Sequence, residues 1–360
     1  MKAAVCYAFD RPLSVEEVRI LPPQRGEVMV KLAATAICHS DIHFLSGARD
    51  VPAPMVVGHE AAGVVHEVGE GVTLVNQGRR VVVSLLRSCG RCEFCIAGET
   101  FLCDFPFALN TESRLRNSSG EPLPDRGMNV SAFAEYAIVD QSQLVPLPDD
   151  VQFDRACLLA CGVITGVGAI VNTANTRPGQ SVVVVGTGGV GLNAIQGALI
   201  AGANPIIAVD VLAEKLSSAI EFGATHTVQL GRDDVPGAVR GVTGGKGAHV
   251  VAITTGVPEA VSLGIELVRP GGSLVLVGLP SPHATVPFQI RSFVNSGARI
   301  LGSPMGSTRL REDVPWLVDL YRAGRLKLDE LITGRYPLDQ INEAIASTQR
   351  GEALRNVIVF

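Results

Sequence analysis

The chain is 360 residues long, more than one hydrophobic core ordinarily holds, so about two domains are expected. Apolar residues make up 47% against 18% charged, which excludes a disordered chain, and 39 glycines without a triplet period exclude collagen. Thirty basic and 35 acidic side chains leave a net charge of −5, without the cationic excess that draws a protein to nucleic acid or to an anionic membrane surface.

The opening MKAAVCYAFDRP has a short apolar run that Asp10, Arg11 and Pro12 end before a signal-peptide core develops. It reads as the first strand of a cytoplasmic protein. In that reducing compartment the eight cysteines are expected as metal ligands or core residues rather than disulfides. To about residue 150 short β-rich runs, 28–34, 61–68, 80–84 and 134–139, are broken by Pro and Gly, which predicts a barrel-like β domain. Within it CHSDIH packs Cys38, His39, Ser40, Asp41 and His43 into one turn, and GHE follows with His59 and Glu60. Cys89, Cys92, Cys95 and Cys103 read C-x2-C-x2-C-x7-C, a spacing that lets four thiolates close a tetrahedron around one Zn²⁺. Such a site has no open position and is structural. Residues 104–130 are polar and turn-rich and predict a long surface lobe or lid.

Two stretches without charge, 156–176 and 178–209, are interrupted by glycines and amides and fail as membrane spans; buried parallel strands with Gly-rich turns are expected there. Cys161 lies in the first of them. Cys38 and Cys161 with His59 offer two thiolates and one imidazole, the ligand set of a catalytic zinc that keeps a fourth position open. Cys6 and Cys157 are left to the core. After residue 177, strands 181–185, 206–210, 226–228, 250–253, 273–277 and 299–301 alternate with helices, two of them at 213–222 and 258–267, with a turn at Pro270-Gly271-Gly272. This alternation predicts a doubly wound parallel sheet. GTGGVG, with Gly186, Gly188 and Gly191, follows the first of these strands and opens a helix, where a pyrophosphate is held at the helix N-terminus. Asp210 ends the next strand, where a carboxylate accepts from a ribose 2′-OH and repels a 2′-phosphate, favouring NAD over NADP. Beyond 304 come helices around Leu317 and Ile345 and a last strand at 357–360.

CHSDIH, GHEAAG, the four-cysteine loop, ACGVITGVGA, GTGGVG and the closing LRNVIVF together make the chain resemble the zinc-containing medium-chain alcohol dehydrogenases over essentially its whole length. The resemblance implies an α/β architecture: a GroES-like β-barrel catalytic domain, 1–162 with 300–360, and an inserted Rossmann domain, 163–299, with the active site in the cleft. It implies NAD, two zincs per chain and a homodimer or homotetramer. Cys38, His59 and Cys161 resemble the catalytic zinc ligands, with Glu60 behind the metal and Asp41 supporting His59. Ser40 and His43 resemble a proton relay from the substrate hydroxyl through the cofactor ribose to solvent. Cofactor contacts are implied at His39, Thr165, Gly189, Val190, Lys215, Val277, Leu279 and Arg355. The chemistry agrees, since Zn²⁺ between two thiolates and a neutral imidazole polarises a ligand oxygen, and an imidazole at His43 can pass a proton to water.

The expected substrate is a primary alcohol or aldehyde. Ser40 is small, Leu85 is not aromatic, and Ser84, Leu85 and Leu279 make the substrate side apolar, which leaves room for a bulky, allylic or aromatic group. Relatives that oxidise thiol adducts of formaldehyde commonly carry a relay tyrosine and a lobe arginine. Here the relay residue is His43 and Phe107 stands at the arginine position, with Arg114 or Arg116 as substitutes. A zinc-free quinone or enoyl reductase would make the cysteines and His59 coincidental, and a zinc-ribbon-like binding module would want a basic, aromatic-studded face that the chain lacks.

Overall fold

The computed structural model describes residues 1–48, 51–124 and 128–360, which fall into two compact units, Met1–Cys161 with Arg309–Phe360, and Gly162–Thr308. In the first unit, strand β1 (Glu27–Ala36) is followed by helix α1 (His39–Leu45) and by β2 (Glu60–Val68), β3 (Arg80–Val83), β4 (Tyr136–Asp140) and β5 (Leu144–Pro146). Alternate residues Val28, Val30 and Leu32 of β1 join Val65, Val81, Val83, Val139 and Leu144 in one core, while Lys31 between them stays exposed. The period of two puts these side chains on one face of the strand, and the other face is largely covered as well, with Glu27, Met29 and Thr35 buried.

The second unit opens with helix α2 (Gly162–Gly168), which runs on through a π-helical turn at Ala169–Thr173. Strands β6 (Val182–Val185), β7 (Ile206–Asp210), β8 (His226–Gln229), β9 (Ala248–Ile253), β10 (Val268–Leu276) and β11 (Arg299–Gly302) then alternate with α3 (Gly189–Ile200), α4 (Ala213–Glu221), α5 (Val235–Val242), α6 (Pro258–Leu267) and α7 (Ile290–Ser296). All pair in parallel, in the order β8-β7-β6-β9-β10-β11. All four valines of β6 are buried, as a parallel strand covered by helices on both faces demands. The order reverses between β6 and β9, and in such sheets the crevice at the carboxyl ends of the strands beside that reversal receives the ligand.

Three expectations need correction. Residues 156–176 are helical rather than strands: Gly166 and Gly197 let α2 and α3 approach so closely that a Cβ at Gly166 would lie 2.3 Å from the Val190 carbonyl oxygen. A helix buried all round shows no polar face, so its period is hidden in the sequence. The turn at Pro270-Gly271-Gly272 lies inside β10, which shifts register between the pairs Ala248/Val268 and Val250/Ser273. Residues 300–308 belong to the second unit, because β11 pairs with β10. Helices α5 and α7 were not foreseen, although Asp234 caps α5 by accepting from the Gly237 N–H at 3.1 Å.

The chain then returns to the first unit with α8 (Leu310–Arg322), β12 (Ile332–Pro337), α9 (Ile341–Gln349) and β13 (Arg355–Val359). β13 pairs antiparallel with β1, so the last strand completes a seven-stranded sheet ordered β12-β13-β1-β2-β3-β5, with β4 on β1. Phe133, Met55, Ile37, Ile341 and Ile358 fill a second core beneath it. No single helix among the described residues is long and apolar enough to cross a membrane.

Candidate functional site

Four buried side chains converge in the first unit: one ligand atom from each of Cys38, His59, Glu60 and Cys161 lies within 4.8 Å of all the others. Local structure sets each in place. Cys38 follows β1 and caps α1 in an extended conformation, and Asp41, three residues on, returns its carboxylate to the Cys38 N–H at 3.0 Å. The other Asp41 oxygen accepts from the Gly58 N–H at 3.1 Å and contacts His59 Nδ1 at 2.9 Å. Gly58, at φ +98°, makes the turn into β2, and a Cβ there would strike the Phe133 backbone at 2.7 Å. Cys161 ends a 3₁₀ turn whose Ala160 carbonyl is held by the Ser84 hydroxyl at 2.7 Å.

The donor set fits a divalent cation. His59 Nε2 and Glu60 Oε1 are buried without a hydrogen-bond partner among the described residues. Hydrogen bonding from Cys161 holds the Cys38 thiol well below its ordinary value, against the pull of burial and with help from His59. The same contact with Cys38, together with burial, pushes Cys161 well above its own. Burial opposes charge on His59, but Asp41 and Cys38 outweigh it and raise its pKa. Burial also holds the Glu60 carboxyl above the usual carboxylate range, although Arg355 draws it down. Two sulfurs that cannot both ionise alone, and an imidazole with its outer nitrogen already engaged, are the arrangement that Zn²⁺ completes. Arg355, itself buried, pairs with Glu60 Oε2. His39 and His43 lie exposed on α1, with Ser40 half-buried between them.

The second thiol cluster also comes together. The sulfurs of Cys89, Cys92, Cys95 and Cys103 lie within 4.8 Å of one another, and Cys92 and Cys103 are 3.9 Å apart. Tetrahedral zinc at ordinary Zn–S lengths separates sulfurs by about 3.8 Å, whereas a disulfide would need roughly 2 Å. Backbone N–H groups of Cys89, Arg91, Cys92 and Cys95 point at these sulfurs at 3.3 to 3.5 Å, as thiolates require. The lobe beyond is anchored by Arg114, which grips Glu27 with two nitrogens at 2.6 and 2.9 Å and Glu112 with a third at 2.9 Å. Arg116 Nη1 donates to the Ser113 and Leu115 carbonyls. Both arginines expected as substitutes at the thiol-adduct position are thus engaged elsewhere.

In the second unit the GTGGVG segment forms a cradle at the start of α3. Gly186 takes φ +91°, a Cβ at Gly191 would lie 1.9 Å from the Gly186 carbonyl oxygen, and among the described residues nothing approaches a Cβ at Gly188 within 4 Å. The first two contacts make glycine necessary, and the open space at Gly188 leaves the amides of Gly189 and Val190 free to meet a pyrophosphate. Asp210 ends β7 beside this turn, and Lys215 is half-buried in the first turn of α4. Thr165 is buried in α2 with its hydroxyl 3.8 Å from Met305 Sδ. Val277 is half-buried and its N–H donates to the Ile253 carbonyl at 3.0 Å, whereas Leu279 is 57% exposed. Thr187, whose hydroxyl meets Asp210, was missed because the nucleotide-loop pattern leaves that position unspecified.

Residues 24–149 match the family described as alcohol dehydrogenase GroES-like domain, and residues 189–323 the family described as zinc-binding dehydrogenase. The chain is 36% identical to geraniol dehydrogenase of Castellaniella defragrans, over 100% of this chain and 97% of that protein. Benzyl alcohol dehydrogenase from Acinetobacter calcoaceticus superposes with a TM-score of 0.93 at 32% identity, covering 100% of this chain and 99% of the other. A zinc-binding dehydrogenase from Sinorhizobium meliloti bound to NADP gives 0.82 at 27% identity, with 100% and 99% covered. The chain belongs to the zinc-containing medium-chain alcohol dehydrogenases, enzymes that use zinc and a nicotinamide cofactor on small-molecule alcohols.

Proposed function

We propose that this alcohol dehydrogenase is NAD-linked, carries two zincs per chain and interconverts bulky, allylic or aromatic primary alcohols with their aldehydes. The convergence of Cys38, His59 and Cys161 in one buried cluster carries the reading. Cys38, His59 and Cys161 would hold zinc, which when bound would supply a Lewis acid for the substrate oxygen. The chain's own residues do the rest. Asp41 fixes the His59 ring so that Nε2 faces the cluster, and Arg355 keeps the second Glu60 oxygen occupied. The Ser40 hydroxyl takes the substrate proton and His43, exposed on the same helix, releases it to solvent. His39 and Arg355 serve the pyrophosphate, Thr165, Val277 and Leu279 the nicotinamide half, and Asp210 and Lys215 the adenosine ribose. Cys89, Cys92, Cys95 and Cys103 hold the structural zinc.

Relatives named for geraniol and benzyl alcohol support the substrate class, as do small Ser40 and non-aromatic Leu85. The engagement of Arg114 and Arg116 within the lobe disfavours formaldehyde–thiol adducts. The enzyme works in the cytoplasm as a homodimer or homotetramer. Thiols gathered as metal ligands suit a reducing compartment. Edge strand β11 and the neighbouring exposed apolar side chains Phe288, Ile290 and Val294 suit pairing with a second copy. A panel of aliphatic, allylic and aromatic alcohols with NAD and NADP, and formaldehyde with a small thiol, tests the reading. Turnover is expected to be fastest on allylic and aromatic alcohols with NAD; preference for the thiol adduct would overturn it.

A further inference from the structure

Asp210 is more tightly held than a residue waiting for a ligand needs to be. Its Oδ2 accepts two hydrogen bonds from one residue, the Thr187 N–H at 2.7 Å and the Thr187 hydroxyl at 3.0 Å. Its Oδ1 accepts from the Leu212 N–H at 3.0 Å. Thr187 is closed to solvent and Asp210 is 8% exposed. A carboxylate oxygen takes about two hydrogen bonds, so Oδ2 is filled and only Oδ1 retains a site for a further donor. Three donors from two loops leave the carboxylate one orientation.

We infer that Thr187 is a positioning residue for cofactor choice: its hydroxyl locks Asp210 so that a fixed charge with one open acceptor site meets the adenosine ribose. The inference rests on the NAD reading above and adds the device that enforces it. A carboxylate free to turn toward water would lower the electrostatic penalty on a 2′-phosphate. A 2′-phosphate would then meet the Leu212 N–H at the start of α4 and Lys215 in its first turn, with Glu214 of the same turn left as the opposing charge. A locked carboxylate keeps the penalty in place and presents the ribose hydroxyl with a pre-aimed acceptor. Only the hydroxyl half of the lock depends on the side chain, because any residue at 187 supplies the N–H.

The test is equilibrium binding of NADH and of NADPH to the intact enzyme, read by the fluorescence of the reduced cofactors, with a melting curve for each variant. Thr187→Val, which keeps the shape and removes the hydroxyl, is expected to weaken NADH, leave NADPH unchanged or tighter, and narrow the ratio of the two dissociation constants about tenfold. Thr187→Ser is expected to restore it. Should the valine variant fail to fold, Thr187→Ala carries the same expectation. Equal weakening of both cofactors, an unchanged ratio, or failure of serine to rescue would overturn the inference. Asp210→Gly separates it from its premise. If that variant abolishes the preference while Thr187→Val leaves it intact, only the positioning role falls; if Asp210→Gly leaves the preference unchanged, the NAD reading falls too.

Discussion

Asp41 Oδ1 lies 2.9 Å from His59 Nδ1, with both side chains wholly closed to solvent. The same carboxylate holds the backbone of Cys38 and of Gly58, so one side chain aims two of the proposed metal ligands. Asp41→Asn keeps the size and loses the charge. It is expected to weaken zinc at this site about 10- to 100-fold, as measured by chelator competition. Unchanged affinity would show that the pairing does not orient the imidazole.

Replacement of Cys92 separates the two clusters. Cys92→Ala is expected to lower zinc content from two per chain to about one and to reduce the melting temperature, while the folded fraction still oxidises alcohol. Lost turnover with unchanged melting would exchange the roles assigned to the two sites.

The buried pair of Arg114 and Glu27, each 5% exposed at the side chain, ties the segment around Arg114 to β1. Arg114→Met strands the carboxylate and is expected to cost about 3–5 kcal/mol by denaturant unfolding, much of which Arg114→Met with Glu27→Met should recover. Equal losses in single and double variants would mean the arginine acts through its packing.

Acid stability has a specific source at Asp154. Burial pushes its pKa up, but Arg155 and Arg335, each with a nitrogen at 2.8 Å, outweigh that and hold it below the ordinary 3.8. A depressed folded value means stabilisation that is present above the ordinary value and is lost as pH falls through the folded one. Asp154→Asn is expected to unfold more easily than the parent at pH 7, by about 1 kcal/mol, and the gap is expected to shrink as pH falls below 3.8 and to close once pH has passed through the depressed folded value. A gap that persists in acid would remove the ion pairs from the explanation.

Ile290 and Val294 on α7 are 73% and 70% exposed. Ile290→Asp with Val294→Asp is expected to lower the mass in sedimentation toward a single chain. An unchanged assembly would move the contact to another face.

Much of this was legible because the chemistry is local. Four valines in a row announced a strand buried on both faces, and the cysteine spacing from 89 to 103 announced a closed thiolate site. What stayed hidden depended on distant partners. The period of residues 156–176 vanished because every side of α2 is covered, and Gly166 reveals its purpose only against Val190. The salt bridge of Arg355 to Glu60 joins residues 295 positions apart, and nothing in a polar lobe told that Arg114 would find Glu27. Thr187 lacked any signal until Asp210 was seen beside it.

The most direct test is zinc stoichiometry with X-ray absorption at the zinc edge, on the parent enzyme and on Cys161→Ala. The parent should hold about two zincs per chain, with an imidazole nitrogen in the averaged shell. Cys161→Ala should hold about one, surrounded by sulfur alone, bind NADH as before and turn over no alcohol. Two retained zincs with alcohol oxidation intact would contradict the assignment of Cys38, His59 and Cys161 to one metal.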